Sequence, residues 1–198
     1  MRIFLIGAFL LLTISCKSQN NQKLESEIIS FYKVNDKDIQ NCKKESEELR
    51  KKKTEEWLIE NIYDQCIAPL EHLNFFRSNS LKMLEKTSNK EDFLIINFIS
   101  NNMTIPFDTK TILYANKNYF GIKHYFDSEN NMVIEKNEEF EVSEFEKDNI
   151  EKIDEYLKTG KSEYFSDKSD GQIGLYKQWN VVAKINGKVR MIELFRIK

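Results

Sequence analysis

The stretch WNVVAKINGKVRMIELFRI, residues 179–197, decides the fold. Residues 179–185 and 188–197 are β-branched and aromatic. Between them Asn186 and Gly187 supply the two positive φ angles of a tight hairpin turn. Val189, Met191 and Glu193 alternate only imperfectly with Arg190, Ile192 and Leu194, which predicts a sheet partly covered on both faces. Upstream, residues 143–160 read as the best-specified helix of the chain. Ser143 and Glu146 form a capping box, Ile150, Ile153 and Leu157 make one apolar stripe, and Gly160 stands at the C-cap.

Further upstream the period is that of strands. Residues 93–99, FLIINFI, are apolar enough for a central strand, with a buried helix as the alternative at this length. Residues 111–115, 119–126 and 132–136 follow, separated by turn-like 116–118 and 127–131, so neighbours should pair antiparallel. The expected sheet has about five to seven strands.

The first half reads as helical. Leu24, Ile28, Phe31 and Tyr32 recur at helical spacing, Val34–Asp36 interrupt, and Ile39, Cys42, Ser46 and Leu49 resume the stripe. Residues 43–56 hold six Lys or Arg and five Glu, interleaved as on a solvated helix face. Thr54–Glu56 look like a fresh helix start before Trp57, and Pro69 should kink or end that helix. Residues 36–76 are therefore either one long helix or a helical hairpin. In one helix Cys42 and Cys66 would lie roughly 36 Å apart, whereas in a hairpin turning near Thr54 they come level, which favours the hairpin and a Cys42–Cys66 disulfide. The fold class is α+β: N-terminal helices packed with a C-terminal antiparallel sheet, with 24–86 helical and 92–198 rich in strands, all in one domain.

The N-terminus has a different character. MRIFLIGAFLLLTISC has one basic residue, Arg2, an apolar run of about ten residues, then Ser15 and Cys16, which is a secretory signal too short to span a membrane. Residues 12–16, LTISC, resemble the lipobox of bacterial lipoproteins, with Thr13 where Leu is usual. The resemblance covers residues 1–16 only. It implies cleavage before Cys16, acylation of Cys16 with palmitate-type chains, and a polar tether over 16–23. With Lys17 after the anchor, it implies outer-membrane rather than inner-membrane retention. The tether has no acidic cluster, which favours a periplasm-facing domain. Removing residues 1–15 from 198 leaves 183 residues, enough for a core without metal or dense disulfides.

Composition narrows the function classes. With 40% hydrophobic and 12% aromatic residues and a net charge of −2, the chain is not disordered and gives no reason to bind nucleic acid. No nucleophile elbow accompanies His72 or His124, the only histidines. Cys42, Cys66, His72 and His124 lack the short paired spacings of a zinc site. Thr159–Ser162 echo a phosphate loop, but the helix precedes the motif instead of following it. The sequence therefore implies no catalytic residue, cofactor or metal. Its 32 acidic residues make any carboxylate pair uninformative.

Two features remain. Residues 135–155 hold ten Asp or Glu against three Lys, while 184–198 hold five Lys or Arg against one Glu. Either the two segments neighbour each other, or Glu138, Glu139 and Glu141 belong to an acidic surface for a basic partner. Tyr119, Tyr125, Tyr176 and Trp179 lie near expected strand ends or loops, where aromatics can serve recognition as well as core packing. The expected function is a lipid-anchored envelope binding or interaction protein with an envelope or secreted protein as partner, an inhibitor or immunity-type lipoprotein being one form. The alternatives are a periplasmic carrier of a small molecule or glycan, and an envelope enzyme.

Overall fold

A strand without a polar side is stable only where both of its faces are covered, and FLIINFI is buried at every position. The computed structural model describes residues 22–87, 91–99, 108–129, 132–167 and 178–197. In chain order these form α1 (residues 22–31), α2 (Asp36–Lys51), α3 (Glu56–Glu85), β1 (Phe93–Ile99), β2 (Thr109–Ala115), β3 (Asn118–Glu129), β4 (Met132–Phe140), α4 (Glu144–Thr159), β5 (Phe165–Ser166), β6 (Gln178–Ile185) and β7 (Lys188–Arg196). The α+β class and the antiparallel sheet are as expected, with β5 as a short strand the sequence did not signal. The first helix already includes residues 22 and 23, which the sequence assigned to the tether.

The seven strands form one sheet in the order β4-β3-β2-β1-β6-β7-β5, antiparallel at every pairing. β1 lies in the middle, with Ile96 opposite Ile112 on one side and Val181 on the other. Side chains alternate across a strand, so β1 feeds two cores. Leu94, Ile96 and Phe98 join Ile112, Val181 and Leu194 beneath Ile150, Ile153 and Leu157 of α4. Phe93, Ile95 and Ile99 join Leu113 and Val182 beneath Leu24 and Ile28 of α1, Tyr32 just past it, and Phe76, Met83 and Leu84 of α3. Helices thus cover both faces, and the N-terminal helices account for only one of them.

The ends of α4 form as read. The Ser143 hydroxyl accepts from the Glu146 N–H while the Glu146 carboxylate accepts from the Ser143 N–H, and Gly160 closes the helix at φ 72°. Glu146 also receives Lys110 of β2 at 2.5 Å, and Arg190 of β7 donates to the Leu157 carbonyl at the other end. The helix is therefore tied to the sheet at both termini.

Residues 36–76 are two helices. The chain turns between α2 and α3 with Lys53 at φ 58°, and Arg50 bridges the turn to Glu56 at 2.8 Å. Cys42 and Cys66 are bonded, with Cα atoms 5.7 Å apart, which is the pairing the hairpin predicts. Pro69, by contrast, does not end α3, which continues to Glu85. Burial of Phe76, Met83 and Leu84 against the sheet outweighs the loss of one N–H donor within the helix.

The direction of these helices sets the shape. Phe75 stacks on His124 with ring centroids 3.6 Å apart, and His124 pairs with Thr109, which pairs with Ile99 at the end of β1. Lys86, just past α3, lies over Phe120, which is level with Leu113 and so with Ile95, near the start of β1. α3 therefore runs antiparallel to β1, and its part before His72, sixteen residues or roughly 24 Å, precedes the contact at the Ile99 end of the sheet. Neither core includes a residue of α2 or of α3 before Leu73. The hairpin buries its own small set, Cys42, Ser46 and Ile59. It forms an arm on the sheet-and-helix body.

The two segments of opposite charge neighbour each other through α4, where Arg196 lies over Phe145 and Arg190 reaches the Leu157 carbonyl, but not through β4. β4 is one edge strand, and β3, β2, β1 and β6 stand between it and β7. The carboxylates of α4 are balanced locally, by Lys147 at Glu144, Lys152 at Asp148 and Lys158 at Asp154.

Candidate functional site

Apart from the bonded Cys42, the buried titratable side chains among the described residues are Tyr32, His72, His124 and Glu146. Glu146 is the capping carboxylate already described, held by Lys110, Ser143 and its own helix end. It is a structural charge, paired as burial requires.

Tyr32 belongs to a polar network in the core beneath α1 and α3. Asn97, in the middle of β1, donates to the Tyr32 hydroxyl at 2.7 Å and to Ser80 of α3 at 2.9 Å, and its amide oxygen accepts from Thr111 of β2 at 2.7 Å. Asn180 of β6 pairs with Asn97 across the strands and with Glu193 of β7 on its other side. Burial pushes the Tyr32 phenol far above its ordinary range, so it stays neutral. The network joins Tyr32, just past α1, and Ser80 of α3 to β1 and β2 by hydrogen bonds and leaves no acid or base poised for a substrate among the described residues.

The histidines lie one step toward the arm. His72 of α3 is 5% exposed and His124 of β3 is 1% exposed. His72 stacks near Phe76 at 6.5 Å and His124 on Phe75. Thr109 and Asn79 are buried too, with the Thr109 Oγ1 and Asn79 Nδ2 lacking a hydrogen-bond partner among the described residues. Burial, then the neighbouring His124, pushes His72 down to about 4. Burial lowers His124 as well, against Glu135 and Asp108, which favour its protonated form. A general base needs access to substrate, and these rings are enclosed between a helix and a sheet.

That enclosure predicts acid lability. Neutral His72 is favoured in the folded state, while an unfolded His titrates near 6.5. Between pH 6.5 and 4 the unfolded chain binds more protons, so stability is full above pH 6.5 and declines toward pH 4, by about 3 kcal/mol from His72. Urea unfolding midpoints should fall across that window, and His72→Phe should flatten the fall. An equal slope in the variant would assign the acid sensitivity to other groups.

The residues singled out from the sequence occupy different places. Cys16 and Tyr176 lie outside the described residues. Cys42 and Cys66 share the disulfide, so neither sulfur is a thiolate available to a metal. Among the described residues no group of three His, Cys, Asp or Glu is arranged to hold a metal ion. Trp179 is core: it is 3% exposed, stacked on Phe98 at 4.2 Å and edge-on to Phe165. Tyr119 is half-buried on the α4 side, stacked on Tyr114 and donating to Glu151 at 3.2 Å.

Of the rest, Tyr125 and Glu138 come together on one face of the sheet, while Glu139, opposite Ile122, lies on the other. β4 forms one edge of the sheet, and Glu138, Glu139 and Glu141 are exposed on or beside it. Glu138 pairs with Lys123 of β3 at 3.3 Å, and Lys123 lies over the Tyr125 ring at 4.1 Å. Burial and the Glu138 carboxylate raise the Tyr125 phenol. This edge is acidic with one half-buried aromatic, a face that suits a basic partner protein more than a chemical reaction.

Three clefts lie among the described residues. One of 320 Å³ lies beside Lys152, Lys161 and Tyr164, one of 260 Å³ beside Asp92, Tyr114 and Lys158, and one of 360 Å³ between Phe31 and Val189. None gathers several of the aromatic side chains that a carrier for an apolar ligand would need. No helix among the described residues is long and apolar enough to cross a membrane.

What the sequence reading missed is the tip of the arm. The sequence places a turn near Thr54 without showing what it assembles, and the turn at Lys53 gathers the end of the charged run at a single exposed point beside Trp57. The signal available was the break in the apolar stripe after Leu49. In comparisons with known proteins, no family model, no curated protein and no solved structure matches the chain.

Proposed function

We propose that this chain is an exported, lipid-anchored protein of the bacterial cell envelope. On this reading Cys16 is acylated, the outer membrane is the resident membrane, and the body faces the periplasm. Its work is to bind another envelope or secreted protein, as an inhibitor or immunity-type lipoprotein would. The observation that carries the reading is the Cys42–Cys66 bond. A structural disulfide joining the two cysteines left after Cys16 belongs to an oxidising compartment, which is where the lipobox-like N-terminus directs the chain.

A binding role is supported by where the chemistry lies. The buried titratable groups sit under helices, whereas the acidic β4 edge with Tyr125 is open to a partner. Rim charges of this kind steer association and make it salt-sensitive.

Two measurements test the reading. Labelled palmitate should enter the wild-type chain and not Cys16→Ser, and equal labelling of both would remove the anchor. Mild crosslinking in the native envelope, followed by capture at low and high salt, should yield one stoichiometric protein partner that is lost at high salt. Glu138→Lys/Glu139→Lys/Glu141→Lys should weaken that capture at least tenfold, and unchanged capture would move the binding site away from the β4 edge.

A further inference from the structure

At the far end of the arm, Arg50, Lys51, Lys52 and Lys53 meet Glu55, Glu56 and Trp57. Arg50 is committed to Glu56, and the Trp57 indole N–H is committed to Glu55. Lys51, Lys52 and Lys53 are exposed and make no ion pair among the described residues. Trp57 is 63% exposed, the largest exposure among the exposed large hydrophobic side chains described. With its indole N–H bonded to Glu55, the ring presents an apolar face beside three exposed cations.

This combination selects its partner by chemistry. Planar carboxylate recognition favours the fixed fork of Arg, and the arm spends its one tip Arg on its own turn. Lysines on flexible stems suit a smeared negative charge instead, and Trp is the side chain that settles at the boundary between headgroups and acyl chains. We infer that the tip of the α2–α3 hairpin is a membrane-contact site that takes anionic phospholipid headgroups through Lys51, Lys52 and Lys53 while Trp57 enters the interface.

The position of the tip gives the contact a purpose. Glu27, Ser30 and Phe31 of α1 border Val189 and Met191 near the β6–β7 turn, so α1 starts toward the end of the sheet opposite the arm. The start of α1, which the proposed anchor precedes in sequence, and the arm tip are then at opposite ends of the described structure. Two contacts would lay the body along one membrane or hold it between two. The tip contact itself rests on Lys51–Lys53 and Trp57, not on acylation of Cys16.

The chain has two tryptophans, and Trp179 is enclosed by Phe98 and Phe165, so Trp57 is a built-in reporter. The full-length protein, purified from its own envelope, is reconstituted into vesicles of neutral phosphatidylcholine or of phosphatidylcholine with phosphatidylglycerol, both doped with brominated acyl chains. Trp57 emission, taken as the difference from Trp57→Phe, should shift to the blue and fall about twofold in the anionic vesicles only. Lys51→Glu/Lys52→Glu/Lys53→Glu should abolish the change while the intact mass still shows the disulfide and the circular dichroism is unaltered.

Equal quenching in neutral and anionic vesicles, or none in either, would overturn the inference. So would an acidic envelope protein crosslinking to Lys51–Lys53 without any lipid quenching, which would place a protein at the tip. The anchor is read separately, by flotation with neutral vesicles: a chain that fails to float there has lost the anchor reading, and quenching in anionic vesicles still reports the tip.

Discussion

Replacing Cys66 by Ser should release α2 and leave the body of the protein folded. The bond closes a loop across a sequence separation of 24, for which chain entropy gives about 3 kcal/mol. Where that loss appears depends on what else holds the arm. α2 buries Cys42 and Ser46 and contributes no described residue to either core, so its remaining supports include the Asn35 cap, the Arg50–Glu56 pair and packing along α3. Hydrogen exchange should therefore show α2 amides opening about 100-fold more readily in Cys66→Ser, with β1 and β6 protected as before. Loss of protection in β1 and α2 together would mean that arm and body unfold as one unit. Unchanged protection in α2 would mean that the bond adds nothing to packing. The double variant Cys42→Ser/Cys66→Ser should match the single one, because removing one sulfur already removes the crosslink.

The other large effect should come from Asn97→Leu, which keeps the branching of the side chain and removes the hydrogen bonds. Ser80 and Tyr32 can still bond to each other, but Thr111 loses its acceptor, and Tyr32 and Ser80 lose their bonds to β1. Buried polar groups left without partners cost about 1–3 kcal/mol each, so the variant should be less stable by about 3 kcal/mol in chemical unfolding. Thr111→Val removes one member and its partner bond and should cost about 1 kcal/mol. The two substitutions should be strongly non-additive, since both break the same bond. A variant Asn97→Leu as stable as the wild type would show that apolar burial in the core beneath α1 and α3 replaces the network without cost.

These expectations differ in how visible they were beforehand. The disulfide could be argued from spacing alone, because one distance along a helix excludes it and a hairpin permits it. The network could not. Asn97 stood out only as a polar residue within an apolar run, and nothing local named Tyr32, 65 positions away, or Ser80 as its partners. The same holds for the histidines: His72 and His124 each looked isolated, and only the pairing of α3 with β3 encloses them together. Trp179 was offered for recognition because it starts a strand, yet that strand lies beside β1, and its ring fills the space between Phe98 and Phe165.

The charge pattern shows the limit from the other side. Two segments of opposite sign invite a pairing between them, and α4 makes it against β7, whereas strand order, set by which faces must be buried, put four strands between β4 and β7. The charged run of residues 43–56 contains the expected turn near Thr54, but only the positive φ at Lys53 shows which of its charges meet at the tip.

By itself the sequence determined the elements and their local ends: the capping box at Ser143, the stop at Gly160, the Asn186–Gly187 turn, the helical pairing of Cys42 with Cys66, and the α+β class. These depend on side chains a few residues apart or on the period of an apolar stripe, both of which are written along the chain. Tertiary structure decided which helices cover which face, that α3 passes through Pro69, where the acidic edge and the basic tip lie, and which polar residues meet beneath α1 and α3. Those outcomes depend on burying two faces of one central strand at once, a requirement that acts across the sheet.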